Sequence, residues 1–123
     1  MNYYEEHERH TTPAQKLLVD EIKGLLAQCL AEVESASKEL HSQPDTEQSF
    51  VRRWDDTLVG GLRVWKQNFD EGLWRRAVEA VAQLGRMMDY YYTDTVSNSK
   101  RIEALARSLT LKAYDLCDIK WDR

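Results

Sequence analysis

Between residues 13 and 42 the apolar side chains Leu18, Ile22, Leu25, Cys29, Val33, Ala36 and Leu40 recur at steps of four, three, four, four, three and four. That spacing draws one stripe along a helix of 3.6 residues per turn, with Lys16, Asp20, Lys23, Glu32, Glu34 and Lys38 away from it. Thr12-Pro13-Ala14-Gln15 marks the start: a capping hydroxyl, a proline where the first turn needs no N–H, and a glutamine three residues after the cap. Pro44 marks the end, because its ring drives the preceding residue out of the α region.

A second stripe, Phe50, Trp54, Leu58, Leu62, Trp65 and Phe69, predicts a helix over about 46–68 with Asp45 as its cap. Gly60-Gly61 lies inside it. Two interior glycines cost about 1 kcal/mol each relative to alanine, so the pair predicts a kink or a closely approaching neighbour helix, with a full break as the alternative. Asp70 reads as the next cap, ahead of Leu73, Trp74, Ala77, Val81, Leu84, Met88 and Tyr91 in a third helix over about 71–92. After the polar stretch Thr93 to Ser99, the residues Ile102, Leu105, Leu109, Ala113 and Leu116 give a fourth over about 98–118. Nothing alternates with period two for long enough to make a strand. Short connections turn successive helices antiparallel, so the expected fold is all-α: an antiparallel four-helix bundle, one domain over 1–123, with 1–11 a polar arm.

Composition sharpens this picture without changing it. At 123 residues, 31% charged and 42% hydrophobic, the chain fits one globular domain. Its apolar runs fall far short of the roughly 20 residues that cross a bilayer, so no membrane is expected. The acidic stretch Met1 to His10 does not read as a secretion signal, and the expected location is the cytoplasm. Cys29 and Cys117 then read as small packing residues; a disulfide between the first and last helices is geometrically open but disfavoured in a reducing compartment. The net charge of −4 is unevenly spread. Up to Glu47 there are ten acidic against four basic side chains, and from Gln48 onward eleven against thirteen. Such a split bears on partners, not on fold.

The sequence holds few constellations that could carry chemistry. His7 and His10 among Glu5, Glu6 and Glu8 could share a helix face, but a terminal segment offers no second shell to hold a metal, and no metal or cofactor is expected. Helical nucleotide pyrophosphohydrolases pair Glu-x-x-Glu with Glu-x-x-Asp across facing helices. Glu5 and Glu8 have the first spacing; Glu79 and Asp89 do not supply the second. With His7, His10 and His41 near the ends of the first helix and no glycine-rich elbow, no catalytic triad can be nominated.

Tryptophan beside arginine is the more suggestive pattern: Arg52-Arg53-Trp54, Arg63-Val64-Trp65-Lys66 and Trp74-Arg75-Arg76, followed by Tyr90-Tyr91-Tyr92. On one face these residues could meet phosphates and stack on bases, which makes a nucleic-acid-binding or DNA-packaging accessory the second reading. Against it stands the acidic pI of 5.4. The plainer reading puts each tryptophan on its apolar stripe and lets the basic stems cover the stripe's edge. Aromatics and arginine are also the residues in which binding energy between proteins concentrates. The first expectation is therefore a non-enzymatic interaction protein, an adaptor, regulator or inhibitor, that binds another protein through Arg52, Arg53, Arg63, Lys66, Arg75, Arg76, Tyr90, Tyr92 and Trp121. A homodimer is part of that expectation, since the long first helix could offer its stripe to a second copy. Short, discontinuous pieces, Thr12-Pro13-Ala14-Gln15 and the stretch from Trp65-Lys66 to Ala80, resemble the small terminase subunits of tailed phages. That resemblance implies a small phage or mobile-element protein and carries no functional residue across.

Overall fold

The computed structural model describes residues 12–72 and 96–121, with side chains of the last helix as far as Leu116. These residues are helical and contain no strand. Three helices make up the described part: α1, Pro13–Ser42; α2, over 48–70; and α3, Ser99–Trp121. Of the segment expected to form the helix 71–92, Glu71 and Gly72 form the turn that ends α2 and 73–92 lies outside the described residues, as does the arm 1–11.

Helix α1 begins and ends where its sequence dictates. Thr12 Oγ1 accepts from the Gln15 N–H at 3.1 Å, and Gln15 Oε1 accepts from the Thr12 N–H at 2.9 Å, a reciprocal cap that also explains why the polar Gln15 is buried. At the other end Gln43, held extended by Pro44 (φ −93°, ψ 112°), stops the helix. Val19, Ile22, Leu26, Cys29, Val33, Ala36 and Leu40 are buried along its length. The expected stripe is thus correct from Cys29 to Leu40 and one residue off at two earlier points. Leu18 and Leu25 are half-buried beside Val19 and Leu26, because the core meets α1 on a face wider than a single line. That face is covered within the chain from Val19 to Leu40.

Both other helices pack on α1. Contacts of Asp55 with Ser37 and Arg63 with Glu34, and of Asn98 with Glu32 and Lys112 with Glu21, show that α2 and α3 each run antiparallel to it. Leu58, Leu62 and Phe69 from α2, and Ile102, Ala106, Leu109, Ala113 and Leu116 from α3, complete the core. On α3 the structure places Ala106 inward where Leu105 was expected; Leu105 is half-buried at the edge.

Helix α2 departs from expectation in three ways. It starts at Gln48, with Glu47 in the cap position and no side-chain cap; Asp45 sits in the preceding turn. Asp70, expected to cap a third helix, is instead the last residue of α2 and pairs with Lys66. Gly72 (φ 83°) supplies the left-handed residue that ends it, its N–H bonding to the Phe69 carbonyl at 3.2 Å. Third, Gly60-Gly61 is neither a break nor a close approach. The helix runs through both glycines, and a Cβ on either would meet only its own helix, at 3.5 Å from the Asp55 carbonyl and 3.8 Å from the Trp65 ring. The irregularity lies just before them. Trp54–Val59 forms a π segment, in which the Gly60 N–H reaches back five residues to the Asp55 carbonyl.

The sequence explains the wider turn. Asp55 precedes Leu62 by seven residues, as Leu62 precedes Phe69. Residues seven apart share a face of a regular α-helix, so an unbroken helix would aim the Asp55 carboxylate into the core beside two side chains that are 0% exposed. Burying an unpaired carboxylate is costly. The π turn instead rotates everything upstream, so that Trp54 fills the core and Asp55 moves to the flank facing α1. Trp54 is 2% exposed, stacks obliquely near Phe50, and donates its Nε1–H to the Val33 carbonyl at 3.0 Å.

Candidate functional site

Asp55 is the hub of the most organised polar cluster among the described residues. Ser37 Oγ donates to its Oδ1 at 2.5 Å, and His41 Nε2 lies 2.7 Å from its Oδ2. A carboxylate only accepts, so Nε2 carries the proton in this contact. Ser37 and His41 are four residues apart and therefore project from one face of α1. Partial burial pushes the Asp55 carboxyl up, but the hydrogen bonds from Ser37 and His41, with the charges of His41 and Arg63, outweigh it and leave its pKa lowered. Asp55 therefore stays ionised.

Serine, histidine and aspartate thus come together although the sequence nominated no triad, but in an order that does not make a nucleophile. An activated serine gives its proton to the histidine, which the carboxylate orients. Here the carboxylate lies between the other two and takes the serine proton's hydrogen bond itself. The arrangement clamps the π segment to α1. Beside it runs an open groove of about 570 Å³, lined by Glu34, Ser37, Lys38, Asp55, Asp56, Val59, Gly60 and Arg63. Among the described residues no group of three or more His, Cys, Asp or Glu side chains could hold a metal ion. His7 and His10, and the carboxylates Glu5, Glu8, Glu79 and Asp89, lie outside them.

The uneven charge of the sequence has a structural use. Glutamates of α1 meet basic residues of the flanking helices: Glu34 with Arg63 at 2.6 Å, Glu21 with Lys112 at 2.6 Å, and Glu32 with Arg101 at 3.8 Å. Glu39 accepts from the Ser97 N–H and Oγ at the start of α3, where the positive end of the helix dipole favours a carboxylate. The nearby Asn98 side chain donates to the Glu32 carbonyl and carboxylate. Acidic α1 and its more basic neighbours neutralise one another across their interfaces. Exposed pairs of this kind contribute little energy each, but they set which faces meet.

The expected partner-binding residues separate accordingly. Arg63 is paired with Glu34, and Lys66 with Asp70 at 2.8 Å. Arg52 and Arg53 are exposed and form no ion pair among the described residues. The structure does not bring these four into one free basic patch: two are neutralised in place. Arg75, Arg76, Tyr90 and Tyr92 lie outside the described residues; Trp121 ends α3, its side chain likewise outside. Sequence reasoning missed Asp55, Ser37 and His41, whose only sequence signal is a carboxylate at a core-facing register position.

Cys29 is a free thiol, 0% exposed; burial, with Glu32's charge acting the same way, pushes its pKa up to about 12. It packs as the sequence suggested. No helix among the described residues is long and apolar enough to cross a membrane. No protein family, curated protein or solved structure matches the chain.

Proposed function

We propose that this chain is a non-enzymatic helical interaction protein, an adaptor, regulator or inhibitor, that presents the outer side of α2 to an acidic surface of another protein. The observation that supports this is the state of its arginines. Arg52 and Arg53 are exposed and free of ion pairs among the described residues, while Arg63 and Lys66 are neutralised by Glu34 and Asp70. Half-buried Phe50 lies three residues before Arg53, on the same face, so an aromatic edge adjoins the exposed charge. The same pairing weighs against the nucleic-acid reading, which needs several free cations along one face.

The antiparallel four-helix bundle belongs to the proposal as well. Helices α2 and α3 both run against α1, hence parallel to each other, and parallel helices cannot be joined by a tight turn. The chain must travel back between Gly72 and Val96. A helix of about 23 residues spans about 34 Å, enough for that return.

Affinity capture from the native host, with wild type beside the double variant Arg52→Glu/Arg53→Glu, tests the reading. A protein retained by wild type and lost by the variant supports it. Recovery of nucleic acid alone, released steeply by salt, supports the competing one.

A further inference from the structure

The π segment of α2 has a physical reason for existing, and that reason makes it convertible. In a regular α-helix residue 55 would share the face of Leu62 and Phe69, both 0% exposed; in the π form it faces Ser37 and His41 instead. What separates the two registers is therefore the character of one side chain. We propose that α2 is a two-register element with the Asp55 charge as its lock: an ionised residue 55 holds Trp54–Val59 in the π form, and a neutral side chain there lets the segment close into a regular α-helix.

Closing would turn Gln48–Arg53 by about 100°, one residue's rotation. Trp54 would leave the core for its edge, and residue 55 would replace it. Two observations make such a turn feasible. The piece that moves is six residues long, has no side-chain cap at Glu47, and buries only Val51 fully. The pivot, Gly60-Gly61, has no side chains to interlock with another element, and its Cβ positions face only their own helix. Arg52 and Arg53 ride on the moving piece, so the lock also fixes where these two charges point. The inference rests on the fold and stands whether or not the proposed partner exists.

The Trp54 indole N–H reports the register, because its bond to the Val33 carbonyl exists only while the ring is in the core. Its native-state hydrogen exchange, measured by NMR and assigned from the peak missing in Trp54→Phe, is compared in wild type, Asp55→Leu, Asp55→Asn and Ser37→Ala/His41→Gln. Exchange in Asp55→Leu is expected to quicken at least 10-fold, with a change in the same direction in the near-isosteric Asp55→Asn. In Ser37→Ala/His41→Gln the charge remains and cannot enter the core, so exchange stays within about threefold of wild type. If the indole stays as protected in both Asp55 variants as in wild type, the charge is not the lock. If the Ser37/His41 variant quickens as much as Asp55→Leu, the clamp to α1 and not the charge sets the register, and the proposal is overturned.

Discussion

Deleting one residue from the middle of a packed helix is ordinarily ruinous, because every upstream side chain turns by about 100°. Deletion of Thr57 from this protein is expected to be tolerated. Trp54 now precedes Leu62 by eight residues and reaches the core only because the π turn absorbs the excess. Without Thr57 the interval is seven, so a plain α-helix puts Trp54 on Leu62's face and Asp55 on the flank toward Ser37 and His41. The core is preserved, and Thr57 itself is only half-buried, so the change in stability should stay within about 1 kcal/mol, the centre of the range for single substitutions. Were the wide turn to persist in the shortened chain, the same deletion would turn Trp54 about 100° off Leu62's face and out of the core. Loss of a buried tryptophan costs about 3–5 kcal/mol by itself. Urea unfolding followed by far-ultraviolet circular dichroism separates the two cases: with a slope of about 1–3 kcal/mol per molar, the larger loss moves the midpoint by 1 M or more. A midpoint lowered by that much, with the slope unchanged, refutes the account of the π segment.

Further predictions follow from the same contacts. Gly24→Ala and Gly61→Ala should each raise stability by about 0.5–1 kcal/mol in chemical denaturation, since nothing lies within 4 Å of a Cβ at Gly24 and a Cβ at Gly61 meets the Trp65 ring at an ordinary 3.8 Å. Destabilisation by Gly61→Ala would show that the second glycine has a packing role after all. The Cys29 thiol, buried and with its pKa pushed up to about 12, should resist iodoacetamide in the native protein and react fully in denaturant, as read by peptide mapping. Asp55 has a lowered pKa in the folded state, so its contribution is fully present above its unfolded value of about 3.9 and fades as pH falls through the folded one. The stability gap between wild type and Asp55→Asn should therefore be constant near neutral pH and narrow only below about pH 4; a gap that did not narrow there would refute the assignment to Asp55.

Much of this fold was legible because its signals are local and repeated. Thr12, Pro13 and Gln15 fixed one end of α1 and Pro44 the other, and seven apolar residues at helical spacing fixed its inner face to within one position. The π segment left a trace that was easy to pass over. Phe50, Trp54, Leu58 and Leu62 stand at three successive steps of four, a mean period of 4.0 against 3.6 for the α-helix, and Asp55 stands in line with Leu62 and Phe69. A conspicuous Gly60-Gly61 drew the irregularity a few residues downstream of its true place, because glycine signals freedom, whereas the actual cause was a carboxylate that had to be kept out of the core. The clamp at Asp55 could not be read from the chain, since it depends on which flank of α1 meets α2. The same tertiary fact decides the arginines. Nothing in Arg52, Arg53, Arg63 and Lys66 as a sequence says that Glu34, well back on α1, neutralises the third, although the excess acid before Glu47 and excess base after Gln48 hint that some such pairing exists.

The proposed function turns on the idea that the charges of Arg52 and Arg53, exposed and without an ion pair among the described residues, and not basic character in general, carry recognition. Isothermal titration of the captured partner with three variants tests it most directly. Arg52→Ala and Arg53→Ala should each weaken binding by about tenfold, corresponding to about 1.4 kcal/mol. Lys66→Ala, whose charge is already matched by Asp70, should change the affinity by less than about twofold. Equal losses at all three positions would contradict the account and return the surface to a general electrostatic role.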